Sequence, residues 1–343
     1  MRLSIHNPYM DTLGGGELYT LALAKVAQSL GYEVHFEFRN SKILSSLEKR
    51  FDINLGEFRV ISNIKRGDGY DACFWVSDGS IPMLLSRKNI LHFQVPFTNI
   101  GGRTLINKMK LFRISEVIVN SKFTKSFIDK EYGVNSLVIY PPVDVVKISP
   151  PTRKENVILY VGRFSTLMQS KNQDILVEVF KKLLQKKVGR WRLVLAGGVE
   201  VGVDDQIKKL KQRANGYPVT ILESPSRKTL VSLFSKAKIF WSAVGFGADE
   251  LKVPEKVEHF GISVVEAMAG GAVPICFSAG GYREILENGV NGFLWKKKSD
   301  LLESTFQIIK KAGVMQRLSK QAVVSSNRFS FDKFNSAVVP LFK

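Results

Sequence analysis

Two proline pairs within about a dozen residues, Pro141-Pro142 and Pro150-Pro151, divide this chain into two series of strand-like and helix-like segments. Proline lacks an amide donor and disfavours helix in the residue before it, so Tyr140-Pro-Pro-Val-Asp144 and Ser149-Pro-Pro-Thr152 read as extended connection. Upstream, Arg2-Leu-Ser-Ile-His6 reads as a buried strand, residues 14–16 as a glycine-rich turn, 18–30 as a helix and 31–38 as an alternating strand: a βαβ unit. Strand-like runs recur at 72–76, 89–93 and 116–120, then, beyond the prolines, at 157–161, 191–196, 219–222, 239–241 and 272–276. Alternation of this kind implies a doubly wound parallel sheet in each half. The 343 residues are enough for two such domains.

Composition narrows the function classes. Nowhere do eighteen consecutive apolar residues occur, so no helix is expected to span a membrane. The start, Met1-Arg-Leu-Ser-Ile-His6, has no charged leader and apolar core, which predicts a cytoplasmic protein. Cys73 and Cys276 lie far apart inside apolar runs and read as buried, reduced thiols. His6, His35, His92 and His259 show no metal-ligand spacing, and there is no Asp-x-Asp, so no metal is called for. The net charge of +19 is uneven: residues 1–150 hold 19 Lys/Arg against 14 Asp/Glu, and the remainder 31 against 17. Such a field suits nucleic acid, an anionic membrane or an anionic small substrate, although many of the cations fall on helix faces.

Glu258-His-Phe-Gly-Ile-Ser-Val-Val-Glu266 sets a glycine-containing turn between two carboxylates and leads into a helix. A helix N-terminus offers unpaired amides and a positive dipole end to a phosphate, and the flanking acids suit hydroxyls. Gly14-Gly15-Gly16-Glu17 occupies a strand-to-helix turn, where glycines let backbone approach a ligand or simply close a tight turn. His92, in Ile90-Leu-His-Phe-Gln-Val-Pro96, is placed at a strand's C-terminal end, as a ligand contact or a structural hydrogen bonder. Arg163 and Lys171 supply cations after the first strand of the second half.

His259-Phe-Gly-Ile262 and Glu266-Ala-Met-Ala-Gly-Gly-Ala-Val-Pro274 resemble the signature of glycosyltransferase family 4, the retaining GT-B enzymes. The His92-x-x-x-Pro96 segment, 119–124, 138–144, Val161-Gly-Arg163, Gly280-Gly281 and 288–293 are similar to further segments of that family. The resemblance implies two Rossmann-like domains facing across a cleft: 1–148 on the acceptor side, 149–324 binding the nucleotide-sugar donor, and 325–343 as a helix returning to the first. It implies transfer of a sugar from a UDP- or GDP-sugar to a hydroxyl acceptor such as a glycan or lipid, without a metal. Arg163 and Lys171 would neutralise the donor diphosphate, Glu258 would hold sugar hydroxyls, and Glu266 the ribose diol. Phe260, Gly261 and Ile262 would make backbone contacts, Gly15 and Gly16 would close on the diphosphate, and His92 would orient the sugar. Two departures stand out: the stretch from Ser165 to Ser170 is longer than usual, and Ser242 replaces a common histidine. The loop between residues 242 and 258 would cover the site or shape acceptor choice. A sugar phosphorylase, a nucleotide-sugar epimerase and a non-catalytic nucleic-acid binder remain alternatives.

The segment from Arg103 to Arg113 mixes four cations with apolar residues. It fits either a helix packed on its own domain or one lying on an anionic leaflet.

Overall fold

The computed structural model describes residues 1–343 except 13, 152, 166–168 and 170. The chain forms two compact units, Met1–Pro142 with Phe331–Lys343, and Val143–Ser330.

In the first unit the described residues form a seven-stranded parallel sheet. Its strands are β1 (Arg2–His6), β2 (Glu33–Glu37), β3 (Arg59–Ile61), β4 (Ala72–Val76), β5 (Lys88–Phe93), β6 (Glu116–Val119) and β7 (Leu137–Val138), in the order β3-β2-β1-β4-β5-β6-β7. The central strands β4 and β5 are buried along nearly their whole length, which is why they read as continuous apolar runs rather than alternating ones. Four helices connect them: α1 (Gly15–Ser29), α2 (Ile43–Phe51), α3 (Leu105–Leu111) and α4 (Lys122–Tyr132). Local chemistry sets their ends. Ser121 caps α4 by accepting from the Thr124 amide at 3.0 Å, and Gly133 ends it with a φ of 69°.

The second unit holds β8 (Glu155–Val161), β9 (Arg192–Gly197), β10 (Val219–Glu223), β11 (Ala237–Ser242), β12 (Val273–Phe277) and β13 (Phe293–Trp295). Among the described residues they form a parallel sheet in the order β10-β9-β8-β11-β12-β13. Its helices are α5 (Gln173–Gln185), α6 (Asp204–Ala214), α7 (Arg227–Lys236), α8 (Ile262–Ala269), α9 (Tyr282–Ile285), α10 (Lys298–Lys310) and α11 (Ala312–Ser326). Strand order reverses beside β1 in one sheet and beside β8 in the other. Loops at the C-terminal ends of such strands diverge and leave room for a ligand.

The units divide at 142/143 and 330/331, rather than at 148/149 and 324/325. Val143 forms a parallel bridge with Ser330, and its amide donates to the Phe329 carbonyl at 2.8 Å, tying both passing segments into the second unit. The last helix, α12 (Phe331–Val338), belongs to the first unit, where Phe334, Val338, Leu341 and Phe342 join the core containing Tyr19 and Tyr32. The glycine-rich turn is shorter than expected, since α1 already begins at Gly15. Glu17 makes this possible: its carboxylate accepts from the Gly14 amide at 2.5 Å and from the Thr12 hydroxyl at 2.8 Å.

Candidate functional site

The loop from Glu258 to Gly261 lies between β11 and α8 in the second unit, and glycine governs its shape. Gly261, the residue before α8, has φ 119° and ψ 56°. Beneath it the loop packs backbone against backbone: a Cβ on Gly281 would sit 2.5 Å from the Phe260 Cα, and one on Gly280 would sit 2.1 Å from the Glu258 carbonyl oxygen. The Gly281 amide donates to that carbonyl at 2.8 Å. Gly261 has no side chain with which to cap α8, so its first amides carry the helix's positive end toward this loop. The small residues downstream have a packing role. Gly270 ends α8 so close to α7 that a Cβ there would lie 2.3 Å from the Phe234 carbonyl oxygen.

Two of the predicted side chains meet. Lys171 Nζ lies 3.5 Å from Glu258 Oε2, with the side chains 13% and 17% exposed, and also donates to the Gln169 amide oxygen. Glu258 stands over a buried cluster of Tyr160, Cys276 and Tyr282; burial chiefly, and then its charge, raises the pKa of all three. The unusually long connection preceding Lys171 falls partly on residues 166–168 and 170, which lie outside the described residues.

Arg163 follows β8 and is exposed, 3.3 Å from Glu200 Oε1. Its position is set by close approach of two strand ends, since a Cβ on Gly197 would fall 1.9 Å from the Gly162 carbonyl oxygen. Glu266, within α8, is 7% exposed and is held by Arg227 Nη1 at 2.5 Å. Sequence reading passed over both partners. Arg227 directly follows Ser226, the N-cap of α7, and Glu200 lies just beyond β9; no motif marks either.

Gly15, Gly16 and His92 belong to the first unit, whereas Arg163, Lys171, Glu258 and Glu266 belong to the second. Gly15 is exposed in the first turn of α1. Gly16 makes room for a protein side chain, because a Cβ there would fall 1.9 Å from Gln94 Oε1. His92 has no exposed surface: Nδ1–H donates to the Ile118 carbonyl at 3.2 Å, and the ring stacks on Tyr19 at 4.3 Å. The Tyr19 ring of α1 and the Ile118 carbonyl of β6 cover His92, so direct contact with a sugar would first require these groups to move.

Burial lowers the His92 pKa to about 3. Unfolded chain takes up this proton below about pH 6.5, so between there and about pH 3 the unfolded state binds more protons and acid destabilises the fold. The loss approaches roughly 1.4 kcal/mol per pH unit. His92→Gln should flatten the dependence by that slope, read from urea midpoints of both proteins at about pH 7 and pH 4.5. Parallel slopes would mean that the imidazole is hydrated.

The loop between residues 242 and 258 is tied down at several points. Asn172 Nδ2 donates to the Ala243 and Phe246 carbonyls, both at 3.0 Å, and Arg283 Nη2 grips both Glu250 oxygens at 2.7 and 2.8 Å. Ser242 is buried, with Oγ 2.7 Å from the Tyr282 hydroxyl and its carbonyl accepting from Trp295 Nε1. It serves the core under Glu258.

Known proteins share this architecture. The chain is 29% identical over 348 residues to the mouse GDP-Man:Man(3)GlcNAc(2)-PP-Dol alpha-1,2-mannosyltransferase, covering 96% of this chain and 63% of that protein. It is 25% identical over 358 residues to an uncharacterized glycosyltransferase of Methanocaldococcus jannaschii, covering 96% and 93%. The chain spans 46% to 63% of the length of the eukaryotic mannosyltransferases among the first relatives. Among solved structures, HepE of Anabaena in complex with UDP superposes with a TM-score of 0.78 at 19% identity, over 99% of this chain and 98% of that one. The fold is GT-B, each unit a doubly wound parallel sheet. The family model for glycosyl transferases group 1 matches residues 145–323, just over half of the chain, and the chain belongs to that family.

Proposed function

We propose that the second unit binds a nucleotide-diphosphate sugar and that the chain is a retaining transferase of glycosyltransferase family 4, acting on a hydroxyl acceptor. The Gly261 junction carries this reading. It sets a helix N-terminus beside the Lys171–Glu258 pair, with a second carboxylate, Glu266, on the same helix. That order of groups suits a sugar, a diphosphate and a ribose laid end to end.

In the reaction, the bond between the anomeric carbon and the phosphate oxygen breaks and the acceptor oxygen bonds to that carbon on the same face. The acceptor proton passes to the departing phosphate oxygen. Negative charge grows on the diphosphate, and fixed positive charge from Arg163, Lys171 and the α8 N-terminus would stabilise it without a metal. Glu258 would hold the sugar. His92, Gly15 and Gly16 carry no part of the proposal.

The relatives include GDP-mannose enzymes and the fold neighbours a UDP complex, so GDP-mannose and UDP-sugars head the panel to be tried. Thermal shift in EDTA should single out one nucleoside diphosphate series, with stabilisation of about 2.7 kcal/mol at a hundredfold excess over Kd. No shift with any member would sink the proposal. NMR of the product linkage then tests retention, and an inverted anomeric centre would overturn it.

Glu266→Gln checks the ribose assignment. A contact made equally in ground and transition states affects KM alone, so donor KM should rise about tenfold with kcat little changed. An unchanged KM would leave Glu266 as a structural partner of Arg227.

A further inference from the structure

The short helix α3 is turned inside out. Leu105, Met109 and Phe112 recur at helical spacing and should form its buried stripe, yet they are 75%, 63% and 92% exposed, with Ile106 at 66%. No residue of α3 is buried, and Leu111 alone among its large apolar side chains packs against the core. Scattered apolar residues on a surface need no explanation; four within about two turns, with Ile100 nearby at 45% exposure, do.

The charges around them are of one sign. Arg103, Lys108, Lys110 and Arg113 fall within this segment, and no Asp or Glu occurs from 103 to 113. Glu131, which borders it, is occupied by the amides of Asn99, Ile100 and Gly102. Beside the helix, Arg103, Lys108, Leu111 and Tyr132 line an open cavity of about 390 Å³. On a wheel of 100° per residue, Lys108 and Lys110 flank the outward stripe of Leu105, Met109 and Phe112, which leaves Leu111 facing inward.

We infer that this face is a membrane-docking surface: the outward apolar side chains enter the headgroup and acyl boundary of an anionic bilayer while the flanking cations meet its phosphates. An interfacial helix needs this combination of bulky apolar residues and Lys/Arg, and each cation near an anionic surface adds about fivefold to binding. A protein partner with its own apolar core would not require four cations and no acid. The inference is independent of the donor binding proposed for the other unit.

Flotation of the full chain with phosphatidylcholine vesicles, with and without about 30% phosphatidylglycerol, at about 50 mM and 0.5 M salt, tests it. Binding should be at least about tenfold stronger on the anionic vesicles and should fall with salt. Leu105→Ser, Met109→Ser and Phe112→Ser combined should reduce it by at least about tenfold, and Lys108→Glu with Lys110→Glu by a similar factor. Melting temperatures should be little changed, since Leu105, Lys108, Met109 and Phe112 are exposed and Lys110 is half-buried, and nucleotide shifts should persist. Equal binding to neutral vesicles, no flotation, or a triple variant that floats like the parent would overturn the inference. So would a dimer in light scattering that the triple variant abolishes, which would assign the face to a second copy.

Discussion

Glu258→Gln should leave a folded protein whose rate of sugar transfer is lower by about two to three orders of magnitude, the scale of removing one preorganised electrostatic contact. The substitution keeps shape and removes charge. The loop's backbone is fixed independently, through the Gly281 amide on the Glu258 carbonyl at 2.8 Å and the close glycine packing beneath it. The carboxylate itself meets Lys171 at 3.5 Å, and both side chains are mostly withdrawn from solvent. A simple structural ion pair would also give this geometry, and a double-mutant cycle separates the two. If the pair is only structural, Lys171→Met combined with Glu258→Gln should recover whatever either single change costs. If each group contacts a different part of the donor, the double variant should be at least as impaired as the worse single one. Turnover equal to the parent in Glu258→Gln would remove this residue from the mechanism.

Much of this candidate site is legible in the sequence, because its shape depends on glycines and a helix start that are contiguous in the chain. Residues 258 to 266 carry their own turn, dipole and acids, and the two sheets follow from strand-like runs bracketed by turns. What escaped depends on packing between distant segments. Arg227 reaches Glu266 across 39 residues, and Gln94 meets Gly16 across 78. His92 illustrates the same limit: its place near the end of a strand suggested access, but whether a strand end is open depends on its neighbours. Here Tyr19 from α1 and Ile118 from β6 close over it. The exposed stripe on α3 is a further instance, since its pattern also fits a helix packed on its own domain.

Gly261→Ala should be among the most damaging single changes in the second unit. At φ 119° and ψ 56° an L-residue is strained, at about 1–3 kcal/mol. The added methyl would also fall 2.8 Å from Tyr282 Cε1 and 3.3 Å from Ile285 Cδ1. Tyr282 has little freedom to retreat, being 1% exposed and hydrogen bonded to Ser242 Oγ at 2.7 Å. Overpacking of this kind adds roughly 1–3 kcal/mol, so the total of about 2–6 kcal/mol is a large part of the stability of a typical domain. Gly289→Ala is the matched control: its φ is also positive, at 78°, but nothing lies within 4 Å of an added Cβ, so it isolates backbone strain. The melting temperature of Gly261→Ala should fall by at least about 5 °C more than that of the control. Tyr282→Leu in the Gly261→Ala background should return part of the difference by removing the ring. If the α8 N-terminus holds the donor diphosphate, Gly261→Ala should lose nucleotide binding even well below its melting temperature, whereas Gly289→Ala should keep it. Equal melting of the two alanine variants would show that the ring does not press on Gly261. Retained nucleotide affinity in Gly261→Ala would place the diphosphate elsewhere.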